Sequence, residues 1–260
     1  MSPLVSGYVT KSRVVRSEWA KLWSLRSTWY TMAASVASAY LFAGVVGIAV
    51  KFGDAEKIQM DAVLVSFAGL NVAQILVPVL GIMMMTSEHS TGTIRSTFSA
   101  VPKRLWVLWA KAMALVMAVF PVFLVVAFTV FPLAQVFLSG SHLEASLGDP
   151  GAKRAVLGAT VSLTLLGVLG LGLGALLRST PLAIGQFVVV LTVLPQAMSL
   201  LPYGWAKVAS GYMPLKASES LMSAKPDLGH APPREALVAL TVWAVTSLTV
   251  SGIALTRRDA

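Results

Sequence analysis

Thr86–Lys111 reads TSEHSTGTIRSTFSAVPKRLWVLWAK, a polar interruption between two of the longest apolar runs in the chain. Thr91-Gly92-Thr93 supplies a glycine that can end one helix and a threonine that can cap the next. A new short helix is therefore expected near Ile94. On it, Ile94 and Phe98 lie four apart and share a face, while Arg95 points elsewhere. Pro102 breaks that helix, and Lys103 and Arg104 stand at the headgroup level just before the next apolar run. The result is a stub with an apolar tip, tied at both ends to membrane helices and suited to transmitting motion from a soluble partner. The same pattern also fits a solvated loop whose Ile94 and Phe98 tuck back under the bundle.

The composition around this stretch is that of an integral membrane protein. Of 260 residues, 56% are hydrophobic and 12% charged, with a mean hydropathy of +0.77. Those values lie far from the soluble average. Runs much longer than the ten or so residues of a barrel strand favour helices. Six spans result, near 29–50, 62–85, 105–138, 155–177, 182–201 and 236–255. The fold expected is thus an all-α membrane domain over residues 29–260, preceded by a segment 1–28 that lies on the cytosolic interface. In that segment Val15, Trp19, Leu22 and Trp23 form one apolar face against a mostly basic one. Glu18 is its lone acid, able to pair with Lys21 or Lys11 or to face a partner, and surface pairing is the expected role.

A formal charge of +9 raises the question of nucleic acid, but the charges follow the spans instead. The side holding both termini carries twelve Lys and Arg against three acids; the other side carries eight against eight. The positive-inside rule then places both termini in the cytosol, in a multi-pass protein of the cell membrane. No basic stripe with interleaved stacking aromatics stands apart from the membrane flanks, so no nucleic-acid partner is expected.

Polar residues inside the spans are few. Asn71 and Gln74 on the second, with Gln186 and Gln196 on the fifth, are candidates for lining a translocation path, or for hydrogen-bonding helices together. Gly170 and Gly174 make a GxxxG spacing that lets two backbones approach closely. Pro121 and Pro132 are expected to bend the long third span. Residues 202–235 read as short helices outside the membrane or a shallow re-entrant piece, held by Tyr203, Trp205 and Tyr212.

Catalytic signatures are missing. The chain has no cysteine, no G-x-x-x-x-G-K-[ST] phosphate loop, no HExxH and no G-x-S-x-G elbow, and its three histidines fall in loops. No catalytic residue, metal site or cofactor of its own is expected, and ATP would have to be handled by another subunit.

Four segments carry a resemblance to a known family: SEWAKLWSLRSTWYT (17–31), SEHSTGTIRSTFSAVPKR (87–104), LGLGALLRST (171–180) and YMPLKASESL (212–221). Together they resemble the ATP-binding-cassette type 2 exporter permeases, particularly the short six-helix kind common in actinobacteria. The resemblance implies a permease that pairs with a second six-helix half and with separate ATPase subunits that hold ATP and Mg. It also implies that residues 86–104 contain a coupling helix, with coupling roles for Glu18, Glu88, Gly92, Thr93, Ile94 and Arg95, to which the shared face adds Phe98. The loops on the far side are too short to suggest a bulky polymer, and a hydrophobic or amphipathic substrate is the expectation. A lipid-directed membrane enzyme and a non-transporting signalling or structural subunit also fit the composition.

Overall fold

The computed structural model describes residues 10–53, 61–100, 104–225 and 230–257, and among these the side chains of residues 95 and 98–100 fall outside the description. Every regular element among the described residues is helical. In chain order they are α1 (Lys11–Ser24), α2 (Arg26–Phe52), α3 (Ala62–Ser66), α4 (Leu70–Ser90), α5 (Thr93–Ala100), α6 (Arg104–Leu138), α7 (Ala152–Leu177) and α8 (Thr180–Val188). A single wide turn, Val189–Val193, leads into α9 (Leu194–Leu200); α10 (Gly204–Gly211), α11 (Pro214–Met222) and α12 (Pro233–Arg257) follow. Six helical segments are long and apolar enough to cross a membrane: α2, α4, α6, α7, the α8–α9 run and α12. The chain thus has the character of a multi-pass membrane protein.

α7 is the most buried of the six and α8–α9 the least. Its central position follows from small residues. Gly170 and Gly174, one turn apart on α7, meet Pro78 and Ile82, one turn apart on α4. A Cβ on Gly170 would overlap the carbonyl oxygen of Pro78, and one on Gly174 would lie 2.7 Å from that of Ile82. Where lipid tails are as apolar as leucine, such close backbone packing supplies the association that a hydrophobic effect supplies in water.

One element departs from the expected pattern. The second span is not one helix from Ala62 to Met85: the chain turns at residues 67–69, separating α3 from α4. Gly69 occupies that turn with its α-carbon against the backbone of Ala39 on α2, where a Cβ would overlap the Ala39 carbonyl. α6 runs unbroken through Pro121 and Pro132. At 1.5 Å per residue its 35 residues extend about 52 Å, well beyond the ~30 Å hydrocarbon core. Within residues 202–235, α11 is packed against α7 and α12, with Ala217, Ser218, Leu221 and Met222 buried.

The ends of the bundle are closed differently. At one end, Arg104 donates to the Leu255 carbonyl at 3.0 Å, which brings the start of α6 to the end of α12 on the face where α1 packs. We call this the terminal face. At the opposite end, the Asp61 carboxylate accepts the N–H groups of Leu64, Ala224 and Lys225 at 2.9–3.1 Å. Arg154 donates to the carbonyls of Ser223 and Ala224 at 2.8 and 3.1 Å, so the last turn of α11 is held through its own backbone. Pro102, Lys103 and Arg258 lie outside the described residues.

Gly170→Ala forces α4 and α7 apart and is expected to lower stability by about 1–3 kcal/mol, the usual range for overpacking. Gly185→Ala on α8, where an added Cβ meets nothing within 4 Å, is expected to be neutral or to stabilise by up to about 1 kcal/mol. Unfolding in mixed detergent micelles measures both; equal effects at the two positions would remove the close-packing account.

Candidate functional site

A lysine in an apolar helix sets the chemistry of the terminal face. Lys111 stands two turns into α6, beyond the exposed Trp106 and Trp109, and is only 2% exposed. An isolated ammonium cannot be buried cheaply, so each of its three donors must find an acceptor. Lys111 Nζ donates to Glu18 Oε2 at 2.6 Å, to Glu88 Oε1 at 2.8 Å and to the Met84 carbonyl at 3.3 Å. Glu18 comes from α1, while Glu88 and Met84 come from the end of α4. One side chain therefore joins three helices.

Lys21 closes the network. It donates to Glu18 Oε1 at 2.7 Å, to Glu88 Oε1 at 3.0 Å and to Thr97 Oγ1 of α5 at 3.2 Å. Two carboxylates and two ammoniums make a neutral group whose six N–H donors are all committed. Lys21 sits at its rim, with a side chain 39% exposed. Burial pushes the Lys21 pKa down, but hydrogen bonds and attraction from Glu18 and Glu88 outweigh this and leave it above the ordinary lysine value.

The sequence explains how α1 reaches this position. Val14, Glu18 and Leu22 recur at four-residue spacing and form its buried face. Glu18 is thus in the middle of the buried face, not paired at the surface as expected. Its companions are apolar because only one position meets Lys111. Both ends of α1 are latched: Lys11 Nζ lies 4.0 Å from the Trp106 ring centroid, and Trp29 Nε1 donates to the Trp23 carbonyl at 3.0 Å across the Leu25 corner. The rings of Trp19, Trp23 and Trp29 stack edge to face or tilted along that corner.

Other expected site residues fall in several places. Gly92 has φ of +70° and makes the turn between α4 and α5, a conformation suited to glycine. Thr93 begins α5 and is exposed, as is Ser96. Of the two arrangements open to Ile94, an exposed apolar tip or a residue tucked under the bundle, the structure has the second: it is 4% exposed, belongs to the main core and anchors α5. Arg95 and Phe98 lie in α5, but their side chains are outside the described set. The four candidates for a translocation path are not brought together. Gln74 is fully buried and donates to Asn71 Oδ1 at 3.2 Å and toward Met222 Sδ at 3.4 Å, while Asn71 is exposed. Gln186 and Gln196 are exposed on α8 and α9. Among the described residues no group of His, Cys, Asp or Glu is arranged to hold a metal.

Lys111 and Thr97 were not singled out by pattern. A signal for Lys111 exists: it lies past the interfacial tryptophans, inside the apolar run, and so requires an acid. Glu18 is the only acid before residue 54, and Glu88 the only one from 62 to 143.

Glu18→Gln and Lys111→Met are each expected to destabilise by about 3–5 kcal/mol, because each leaves a buried charge with fewer partners. The double substitution is expected to recover a large part of that loss; simple additivity in a double-mutant cycle would show that the two do not interact. The pH dependence has a defined sign. Lys21 contributes stability that is complete below the ordinary lysine pKa and lost as pH rises through its raised value. Lys21→Met should flatten the alkaline limb of stability against pH, and an unchanged limb would exclude this contribution.

No protein-family model matches the chain, and no curated protein is significantly similar to it.

Proposed function

We propose that the chain is the permease subunit of an ATP-driven exporter of the ATP-binding-cassette type 2 class, with ATP and Mg held by separate ATPase subunits. The observation that carries this reading is the wiring of α5. It is a short helix between two membrane-crossing ones, and Thr97 joins it to Lys21, and through Lys21 to Glu18, Glu88 and Lys111. A push on α5 is therefore delivered to α1, α4 and α6 at once.

In this reading the terminal face is cytosolic, in keeping with its excess of Lys and Arg. α1 is the interface helix and α5 the coupling helix. Glu18, Glu88, Lys21 and Lys111 transmit motion into the membrane domain, and Ile94 fixes the stub to the bundle. Gly92, Thr93 and Ser96, all exposed, form the part offered to the ATPase. A second six-helix half covers α8–α9, and the exposed Gln186 and Gln196 contribute to the path between halves. A hydrophobic or amphipathic substrate moves outward along it. Buried Gln74 serves packing instead.

Pulldown of the chain from its native membrane in mild detergent is expected to recover an ATPase subunit. Ser96→Trp, on the exposed side of α5, should lose it while retaining the wild-type melting temperature. If well-folded wild-type protein brings down no ATPase, the exporter reading fails.

A further inference from the structure

Between α1, α4 and α5 the charge cluster forms one wall of a cavity of about 460 Å³. The hydrogen-bonding capacity of that wall is one-sided. Lys21 and Lys111 have committed every ammonium donor. Four of the lining hydroxyls have turned their O–H groups to backbone carbonyls: Ser24 to Lys21, Thr91 to Ser87, and Ser96 and Thr97 to Thr93, at 2.8–3.2 Å; Thr93 pairs with the Thr91 hydroxyl at 2.9 Å. Their oxygens keep acceptor capacity. Glu88 adds the strongest unused acceptor, because its Oε2 is buried without a partner.

A wall of carboxylates and acceptor oxygens, in which Ser87 alone among the lining side chains keeps an uncommitted O–H, selects its ligand. A phosphate or carboxylate meets one hydroxyl and two carboxylates that repel it, and a quaternary ammonium has no donor to offer. A primary ammonium offers three. The rest of the lining is apolar, from Leu22, Leu25 and Met84, and the cavity lies where α2 begins, beside Trp29 and Tyr30, 58% and 72% exposed. Exposed Trp and Tyr at the end of a membrane-crossing helix mark the headgroup level.

We propose that this cavity binds the primary ammonium of an amphiphile, with its N–H groups on the acceptors that Lys21 holds, Glu18 Oε1, Glu88 Oε1 and Thr97 Oγ1, and with the unpartnered Glu88 Oε2 behind them as further negative charge. Lys21, already at the rim, swings toward water as the ligand's ammonium takes its place. Two ammoniums then still face two carboxylates, and the cluster stays neutral. The chemistry fits an ethanolamine phospholipid headgroup or a free alkylamine.

The test is native mass spectrometry of the full chain released from nanodiscs containing equal phosphatidylethanolamine and phosphatidylcholine of identical acyl chains. Wild type is expected to retain the ethanolamine lipid over the choline lipid by about tenfold, the discrimination that one charge-assisted hydrogen bond supplies. Ser87→Leu, which fills the cavity without changing charge, should abolish the preference. Lys21→Met, which removes the competing ammonium, should increase it, an effect that a merely structural lysine would not produce. Thermal stabilisation by free ethanolamine in phosphatidylcholine nanodiscs, lost in Ser87→Leu, would keep the site and assign it to a soluble amine. Equal retention of both lipids with no effect of ethanolamine, or weaker ethanolamine-lipid retention in Lys21→Met, overturns the proposal. None of these readouts requires an ATPase partner.

Discussion

The burial of Lys111 is the constraint from which the arrangement of the terminal face follows. An ammonium two turns inside an apolar helix is tolerable only if opposite charge and hydrogen bonds surround it, since desolvation otherwise exceeds any packing gain. No acid on α6 can supply them, because α6 contains none. The acids must come from elsewhere, and they come from α1 and the end of α4. Once Glu18 is committed, α1 has to lie along α6 with Val14 and Leu22 turned inward. Once Glu88 is committed, the turn at Gly92 places α5 within reach of Lys21. A single basic residue therefore fixes the positions of two helices that do not cross the membrane.

The interior is held by a different kind of force. α7 meets α4 through glycines and backbone carbonyls, where association rests on van der Waals contact. Such contacts fix distance but tolerate little change of register, because overlap sets in within a few tenths of an ångström. The terminal face is held instead by directional bonds between charges, and the opposite end by Asp61 and Arg154 wrapped around the backbone of residues 223–225. The bundle thus has a tightly packed axle with polar fastenings at each end.

Much of this was legible in the sequence, in proportion to how local its cause is. Span positions follow from runs of apolar residues, and each observed helix overlaps its expected range. The Gly170–Gly174 spacing announces a close-packed face, since small residues one turn apart have few other uses in an apolar helix. What escaped depended on partners distant in the chain. Glu18 reads as a surface acid because its local neighbours are basic; its burial is decided by Lys111, 93 residues away. Ile94 reads equally as an exposed tip or as tucked under the bundle, because its own helix is polar and the core that decides between them is built from other helices. The turn at residues 67–69 is invisible in an apolar run and becomes necessary only when Ala39 approaches Gly69. Asn71 and Gln74 sit one turn apart as the spacing requires, but which of the two faces inward depends on α11.

The bonding pattern of the cluster also limits how the terminal face can move. Glu88 Oε1 is shared by both lysines, and each lysine is shared by both glutamates, so the four groups form a closed ring. Shifting α5 strains the Lys21–Thr97 bond, an ion-to-hydroxyl contact on a partly exposed lysine, and also the seat of Ile94 in the core. Separating α1 from α6 instead leaves buried carboxylates and an ammonium short of partners, at a cost of several kcal/mol. Displacement of α5 therefore loads α1 and the adjoining ends of α4 and α6, which hold together as one body. The Thr97 hydroxyl and the side chain of Ile94 thus tie α5 to a group of helix ends that the buried ammonium of Lys111 holds together.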